Sequence, residues 1–428
     1  MNGSLKIISA NVIGTTLEYF DYALYGFSIP IIATLFFPSN SPLNSILLAW
    51  STLIISLLIR PFAAVVLGYY GDRIGRKKIL NFTVLMMAFS TILFGLIPTY
   101  SQIGIMAPVL LLICRIAQGF AVSAEYNGSC IYLIEMFSNR KSLVASMVVF
   151  ACGLGVMAAS VLTLLFLSSS ITYNNHFYLW RVPFIVGGAL AGSIGFYLIN
   201  GIPESQAFLA AKTNNRILKN PFRDLFKSQK SLMLSAMFLS GYCGTATYIL
   251  TIYLSLYLQT VVGIEMQQAL LIVIIGSFIG TLTIPMFGLI SDAKGQRNVM
   301  LISLIATILL SVPAFFIIQT KSTGIIIMAV SVISVCNAAF CSPFASLIPG
   351  LFQPEMRYSG MGISFNFGAA LMGGLAPMII TLLTGLTNSA LVPGIYMMIF
   401  AMLSFVILWR APVFQETKTR CGYYAKPI

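Results

Sequence analysis

Five ionisable residues interrupt long apolar runs of this chain: Glu18, Asp21, Arg60, Arg115 and Glu125. A charge at mid-bilayer costs ~2.5–3.5 kcal/mol on insertion scales, so such residues persist where they pair or carry function. Glu18 and Asp21 stand three residues apart and share a helix face with Tyr22 and Tyr25, which makes an acidic, aromatic stripe. Two carboxylates that close disfavour double ionisation, so one is expected to hold a proton, as a proton-coupling site requires. Arg115 and Glu125 lie ten residues apart, about 15 Å along a helix, and so need other partners. Arg115 is expected to offer a cation to a substrate carboxylate, to govern a carboxyl's proton, or to close a structural ion pair. Glu125, with Tyr126 beside it, is expected near a solute and in proton coupling, or in a structural ion pair between helices. Between Leu232 and Arg410 the apolar runs hold no charge except at loops, so polarity there comes from Tyr248, Tyr253, Tyr257, Asn337 and Asn366. Tyrosine faces attract a quaternary ammonium by about 0.5–2 kcal/mol each, and their hydroxyls can orient a carboxylate; packing is the plainer role for any one of them.

The elements that must position these groups are membrane helices. Of 428 residues, 58% are hydrophobic and 8% charged, against about a quarter charged in soluble domains. Twelve apolar runs, near 8–36, 45–70, 79–98, 104–133, 143–168, 180–200, 232–258, 266–290, 299–319, 324–349, 359–384 and 391–409, each suffice for a span of ~20 residues. With the first residue in the cytoplasm, 20 of the 24 basic residues fall in cytoplasmic segments and only Lys321 falls squarely in an outer loop. The positive-inside rule then places both termini in the cytoplasm and accounts for the net charge of +13 without nucleic acid. The first run carries Glu18 and Asp21 and exceeds a signal-peptide core, so it is expected to stay as a span. Trp180 and Trp409 stand at run ends, where an indole suits the headgroup layer, with packing the plainer role. Gly188/Gly192 and Gly276/Gly280 have the spacing that lets helices approach. The division expected is a first half over 1–200, a basic linker over 201–230, a second half over 231–412 and a tail over 413–428. In the linker, Phe222, Leu225 and Phe226 beside Arg223, Lys227 and Lys230 suit a short helix on the inner leaflet, or a plain solvated connection.

Other chemistries find little support. His176 is the only histidine, and the seven cysteines are scattered, six in apolar runs and Cys421 in the tail. That set offers neither a zinc or haem constellation nor a disulfide framework. No Gly-x-Ser-x-Gly elbow is present. No enzyme activity and no bound cofactor are expected, protons being the coupling ion.

The chain repeats itself. Gly68-x-x-x-Asp72-x-x-Gly75-x-Lys77 follows the second run, and Gly288-x-x-x-Asp292-x-x-Gly295-x-Arg297 follows the eighth, 220 residues later. FSNRKS at 137–142 and FQPEMRYS at 352–359 follow the fourth and tenth. A six-plus-six duplication is a transporter design, with the solute bound at the repeat interface near the midplane. Glycines allow a tight turn, and Asp72 among Arg73, Arg76, Lys77 and Lys78 can exchange partners between helix ends, including the positive N-terminus of a neighbouring helix. Gly68, Asp72, Arg73, Gly75, Arg76, Asp292 and Arg297 are thus expected to gate the conformational change.

GYYGDRIGRKK at 68–78 and Arg115-x-x-Gln118-Gly119 resemble signatures of the major facilitator superfamily. GTTLEYFDYALYG at 14–26, LIRPFAAVVLGYYGDRIGRKK at 58–78, RIAQGFAVSAEYNG at 115–128, WRVPF at 180–184 and RYSGMGISFNFG at 357–368 further resemble its metabolite:proton symporters, and among these the proline/betaine group. Thr15, Tyr19 and Ser123-Ala124 depart from that pattern and are expected to reshape the pocket, and the tail lacks the coiled coil of some osmosensing members. The resemblance implies an all-α membrane protein of twelve helices in two pseudo-symmetric halves, in a bacterial inner membrane. It implies alternating-access symport of a proton with a proline- or betaine-like zwitterion, the rivals being an organic-acid symporter and an efflux carrier. Glu18, Asp21, Arg115, Glu125, Tyr126, Tyr248 and Asn366 are the candidate coupling and solute residues. The partners expected are a small solute and the bilayer, with the chain a monomer.

Overall fold

Without water to satisfy backbone polar groups, a lipid-embedded chain must close its hydrogen bonds within each segment, and helices do so. The computed structural model describes residues 3–137, 139–172, 179–205, 208–209, 213 and 221–410. The first half holds α1 (Gly3–Phe36), α2 (Pro42–Ile74), α3 (Arg76–Leu96), α4 (Met106–Met136), α5 (Lys141–Thr172) and α6 (Arg181–Asn200). A short helix, α7 (Pro221–Ser228), follows. The second half holds α8 (Lys230–Val262), α9 (Met266–Lys294), α10 (Gln296–Ile318), α11 (Thr323–Leu351), α12 (Arg357–Thr387) and α13 (Val392–Arg410). Among the described residues eleven of these helices are long and apolar enough to cross a membrane. The 34 residues of α1 exceed what a twelfth crossing needs. Phe62, Phe89, Ile302 and Leu309 point outward, each more than 60% exposed, which suits faces turned to lipid. His176, Cys421 and the tail over 413–428 lie outside the described residues.

The duplication in the sequence is a duplication in packing. In the first half α1 packs on α5, α2 on α4 and α3 on α6; in the second α8 packs on α12, α9 on α11 and α10 on α13. The halves meet where α2 crosses α12 and where α5 crosses α9, again equivalent pairs. Gly68 and Gly288 sit at those crossings: a Cβ on Gly68 would lie 3.1 Å from the Ser359 Cα, and one on Gly288 2.9 Å from the Leu143 Cα. At the two equivalent turns Gly75 (φ +113°) and Gly295 (φ +92°) adopt a backbone that favours glycine. Gly188 and Gly192 pack on Ala88, and Gly280 packs on Ser334.

The halves differ in helix regularity. Single π-turns interrupt α8 at Ile249–Tyr253 and Leu258–Val262, and α12 at Ala369–Gly374. Their first-half counterparts α1 and α5 run unbroken. Packing decides two readings that the sequence left open. Trp180 is only 3% exposed and edges onto Phe36, Phe94 and Phe184 instead of facing headgroups. α7 forms in the linker, but Leu225 is buried where α7 meets α2, α8 and α12, so one face is held by protein.

Candidate functional site

Inside the first half, α1, α3, α4 and α6 surround a narrow cavity onto which Glu18, Asp21 and Glu125 all open. The helical spacing of α1 aims Glu18 and Asp21 inward, and α4 brings Arg115 and Glu125 in at two different heights. Asp21 is fully engaged. Arg115 lies 3.3 Å from its Oδ2, while the Thr91 hydroxyl (2.8 Å) and the Gln118 amide (2.9 Å) donate to its Oδ1. The Arg115 guanidinium carbon sits 3.8 Å from the Tyr25 ring centroid and 4.8 Å from that of Phe94. Flat cation and aromatic faces stack well in a dry interior. Arg115 is thus committed to Asp21, and the expectation that it serves a substrate carboxylate does not hold in this arrangement.

Glu125 accepts the Thr83 hydroxyl at 2.8 Å, and its other oxygen is buried without a hydrogen-bond partner. It packs against Gly14, one turn before Glu18. The carboxylate that bears on Glu18 is therefore Glu125. The pairing expected within α1, between Glu18 and Asp21, is corrected: Arg115 draws Asp21 away. Thr83 and Thr91 are the residues that sequence reading missed here, since neutral polar side chains in an apolar run carry no signal of their own; Gln118 showed only as part of the Arg115-x-x-Gln118-Gly119 signature.

A second cavity lies between the halves. From the first half Tyr19, Tyr126 and Cys152 line it, and from the second Cys243, Thr247, Thr251, Thr281, Asn337 and Phe365. No lining residue carries a formal charge. Tyr126 stacks on Phe365 across the seam with centroids 4.6 Å apart. Towards the end away from the termini, Gly26 faces Ile252 and Leu57 faces Gly374, so the halves also meet beyond the cavity. Asn366 does not line it; its amide donates at 2.8 Å to the Ser123 carbonyl on the other half. Tyr248 lies outside the lining as well, with its ring 5.3 Å from that of Tyr22 and its hydroxyl 3.4 Å from Arg60. Of the candidate coupling and solute residues Tyr126 is the one in this wall, and Tyr19 and Asn337, also singled out in the sequence, line it too.

A third layer closes the end of the bundle where both described chain ends lie. Asp72, at the end of α2, accepts from the Ser359 amide (3.1 Å) and hydroxyl (2.8 Å) in the first turn of α12. Asp292, at the end of α9, accepts from the Ser142 (2.9 Å) and Leu143 (3.0 Å) amides in the first turn of α5. A carboxylate at a helix N-terminus satisfies orphan donors and meets the positive end of the helix dipole. Each latch joins the two halves.

Around Asp72 the first half adds charge. Arg76 pairs with Asp72 (3.4 Å) and Glu135 (3.6 Å), and donates to the Pro354 carbonyl (3.1 Å) across the seam. Glu135 also pairs with Arg357 at 3.1 Å and accepts from Ser205. Glu204 caps α3 through the Arg76 and Lys77 amides, at 3.0 and 3.3 Å. Around Asp292 the equivalent work is neutral: Gln296 donates to the Ser142 (2.9 Å) and Ser346 (2.8 Å) hydroxyls. Two of the charged gating candidates are not brought to the seam. Arg73 bonds Tyr69 on its own helix, and Arg297 donates to the Leu408 and Trp409 carbonyls of α13 within its own half. Glu135 and Glu204 were missed, the first because it follows Glu125 without a motif of its own.

Comparison with known proteins agrees with this architecture. The family model of the Major Facilitator Superfamily matches residues 12–377. The proline/betaine transporter of Salmonella typhimurium is 32% identical over 415 residues, 94% of this chain and 82% of that protein. The glycine betaine/proline/ectoine/pipecolic acid transporter OusA of Dickeya dadantii is 32% identical over 415 residues, with the same shares. The ectoine/proline transporter ProP of Corynebacterium glutamicum is 31% identical over 419 residues, again covering 94% and 82%. The structure of the proton:xylose symporter XylE bound to 6-bromo-6-deoxy-D-glucose superposes with a TM-score of 0.78 over 96% of each chain; at 15% identity that likeness is one of fold.

Proposed function

The chain belongs to the major facilitator superfamily, and from that premise we propose that it is a proton-coupled symporter of a small zwitterion of the proline or betaine kind, a carrier and not an enzyme. One observation carries the reading: the cavity between the halves offers aromatic faces, hydroxyls and an amide but no formal charge, while three carboxylates are set apart inside the first half. A zwitterion suits such walls, because its cation can rest on an aromatic face and its net charge is zero. A citrate- or 2-oxoglutarate-like anion would bring two or three negative charges to a lining that holds no cation of its own, with the single buried guanidinium of Arg60 behind it, which argues against the organic-acid reading. The names of the relatives point the same way.

The basic end of the bundle faces the cytoplasm by the positive-inside rule, in a bacterial inner membrane. In that orientation the Asp72 and Asp292 latches seal the cytoplasmic side. Transport then proceeds by rocking the halves about the central cavity as the two latches release and re-form. A proton taken up by the first-half carboxylates travels with the solute, and an inside-negative potential adds about 2.3 kcal/mol per charge per 100 mV. Each chain holds a complete cavity, so a monomer suffices, and no bound cofactor is needed. The test is uptake into proteoliposomes under an imposed inward proton gradient, with labelled proline, glycine betaine, 2-oxoglutarate, citrate and shikimate in parallel. Protonophore-sensitive accumulation of proline or betaine supports the reading. Accumulation of an organic acid alone, or movement only under a reversed gradient, replaces it with one of the rivals.

A further inference from the structure

Arg60 is the buried cation that the first-half network leaves over. It sits at mid-length of α2, 8% exposed, directly before Pro61. Among the described residues it enters no ion pair within 4.0 Å, in contrast to Arg76, Arg115 and Arg357. Its one hydrogen bond there is a long one, 3.4 Å from its terminal nitrogen to the Tyr248 hydroxyl, and its Nε is buried without a partner. Glu18 and Asp21 act on it electrostatically, but neither comes within pairing distance. A guanidinium taken out of water is stabilised only when an anion and good hydrogen bonds offset its lost hydration. Arg60 has neither in full.

Its surroundings say what kind of anion would suit it. The Tyr22 ring lies under the guanidinium, with the carbon 5.4 Å from its centroid, and Tyr22 meets Tyr248 at 5.3 Å. Tyr22 belongs to the first half and Tyr248 to the second, so the cation sits at the seam that opens and closes during transport. Tyr19, one turn before Tyr22, and Thr247, next to Tyr248, both line the central cavity. Arg60 thus lies behind the cavity lining, and separation of Tyr22 from Tyr248 would join it to the cavity.

We infer that Arg60, framed by Tyr22 and Tyr248, is the subsite for the carboxylate of the transported zwitterion; this rests on the zwitterion reading above. The guanidinium fork accepts a carboxylate through two parallel hydrogen bonds, and a tyrosine hydroxyl can add a third. The cationic end of the solute is then directed along the seam towards the aromatic wall of Tyr126 and Phe365.

The test compares carboxylate with carboxylate-free analogues in proteoliposomes: inhibition of labelled betaine or proline uptake by glycine betaine against choline, and by proline against prolinol. Wild type should favour the carboxylate compound by about 100-fold, the scale set by losing a hydrogen bond to a charged group. In Arg60→Gln that ratio should collapse towards one through weaker binding of the carboxylate compound, and Arg60→Lys should restore part of it. Should these variants fail to fold, phenylglyoxal modification of Arg60 in wild type, read by mass spectrometry, should be blocked by glycine betaine and not by choline. An unchanged ratio in folded Arg60→Gln, or equal protection by both compounds, overturns the subsite while leaving zwitterion symport intact. Wild-type protein that carries none of the zwitterions overturns both.

Discussion

Asp21 and Glu125 open on one cavity, but only Asp21 has a cation beside it. A proton can reach and leave Glu125 without breaking an ion pair seen in the structure, whereas protonating Asp21 releases Arg115. Glu125→Gln, which keeps the Thr83 bond but cannot ionise, should therefore abolish uphill accumulation and leave solute counterflow in place. Uphill uptake at the wild-type level would remove Glu125 from coupling. Arg115 makes the opposite kind of prediction. Arg115→Leu strands a buried carboxylate and should lower stability by about 3–5 kcal/mol, read as a drop in unfolding temperature in detergent. Arg115→Lys, lacking the planar face that meets Tyr25 and Phe94, should recover only part of that loss. The charges themselves were plain in the sequence because apolar runs expose them. Their partners were not: Asp21 meets Arg115 across 94 positions of chain, and Arg60 stands apart from the acids only once α1, α2 and α4 are packed.

At the scale of elements, the two latches are equivalent in position and unequal in support. Asp72 holds the first turn of α12 with Arg76, Glu135 and Arg357 behind it, and Asp292 holds the first turn of α5 with Gln296 alone close by. Removing the charge from either should slow transport and open the cytoplasmic seam. Asp72→Asn should do more, because it also leaves Arg76 with a weaker partner; losing a charged hydrogen bond typically costs ~1.5–3 kcal/mol. Reactivity of a cysteine placed at Ser359 towards a membrane-impermeant thiol reagent from the cytoplasmic side reads this directly, and equal reactivity with and without Asp72 would end the latch idea. Gly68→Val should act through shape instead, since its side chain meets the Ser359 backbone and holds α2 off α12. The sequence announced both latches through its repeated motif and the helix-end argument. It did not separate Arg73 and Arg297, which share the motif and serve their own halves, because a motif does not record which way each side chain leaves the helix. Nor did periodicity foretell the π-turns of α8 and α12, where one residue is added to a turn without altering the apolar pattern.

For the whole molecule, closure of the cytoplasmic seam and transport are one event seen twice. The Ser142 and Ser346 hydroxyls face each other at 3.1 Å across the halves. A Ser142→Cys, Ser346→Cys pair should form a disulfide under mild oxidation, stop uptake almost completely and release it on reduction; continued uptake while cross-linked would show that these surfaces need not part. The twelve spans and the duplication were legible because hydropathy and a 220-residue repeat survive in one dimension. The cavity between the halves was not, since its wall mixes tyrosines, threonines and cysteines that read as packing until two bundles are set face to face. That wall has a use for anyone who would redesign the carrier. Its second-half share is uncharged and shares no side chain with the acids of the first half, so a new solute can be fitted by rewriting α8 and α11 while the part that is energised stays as it is.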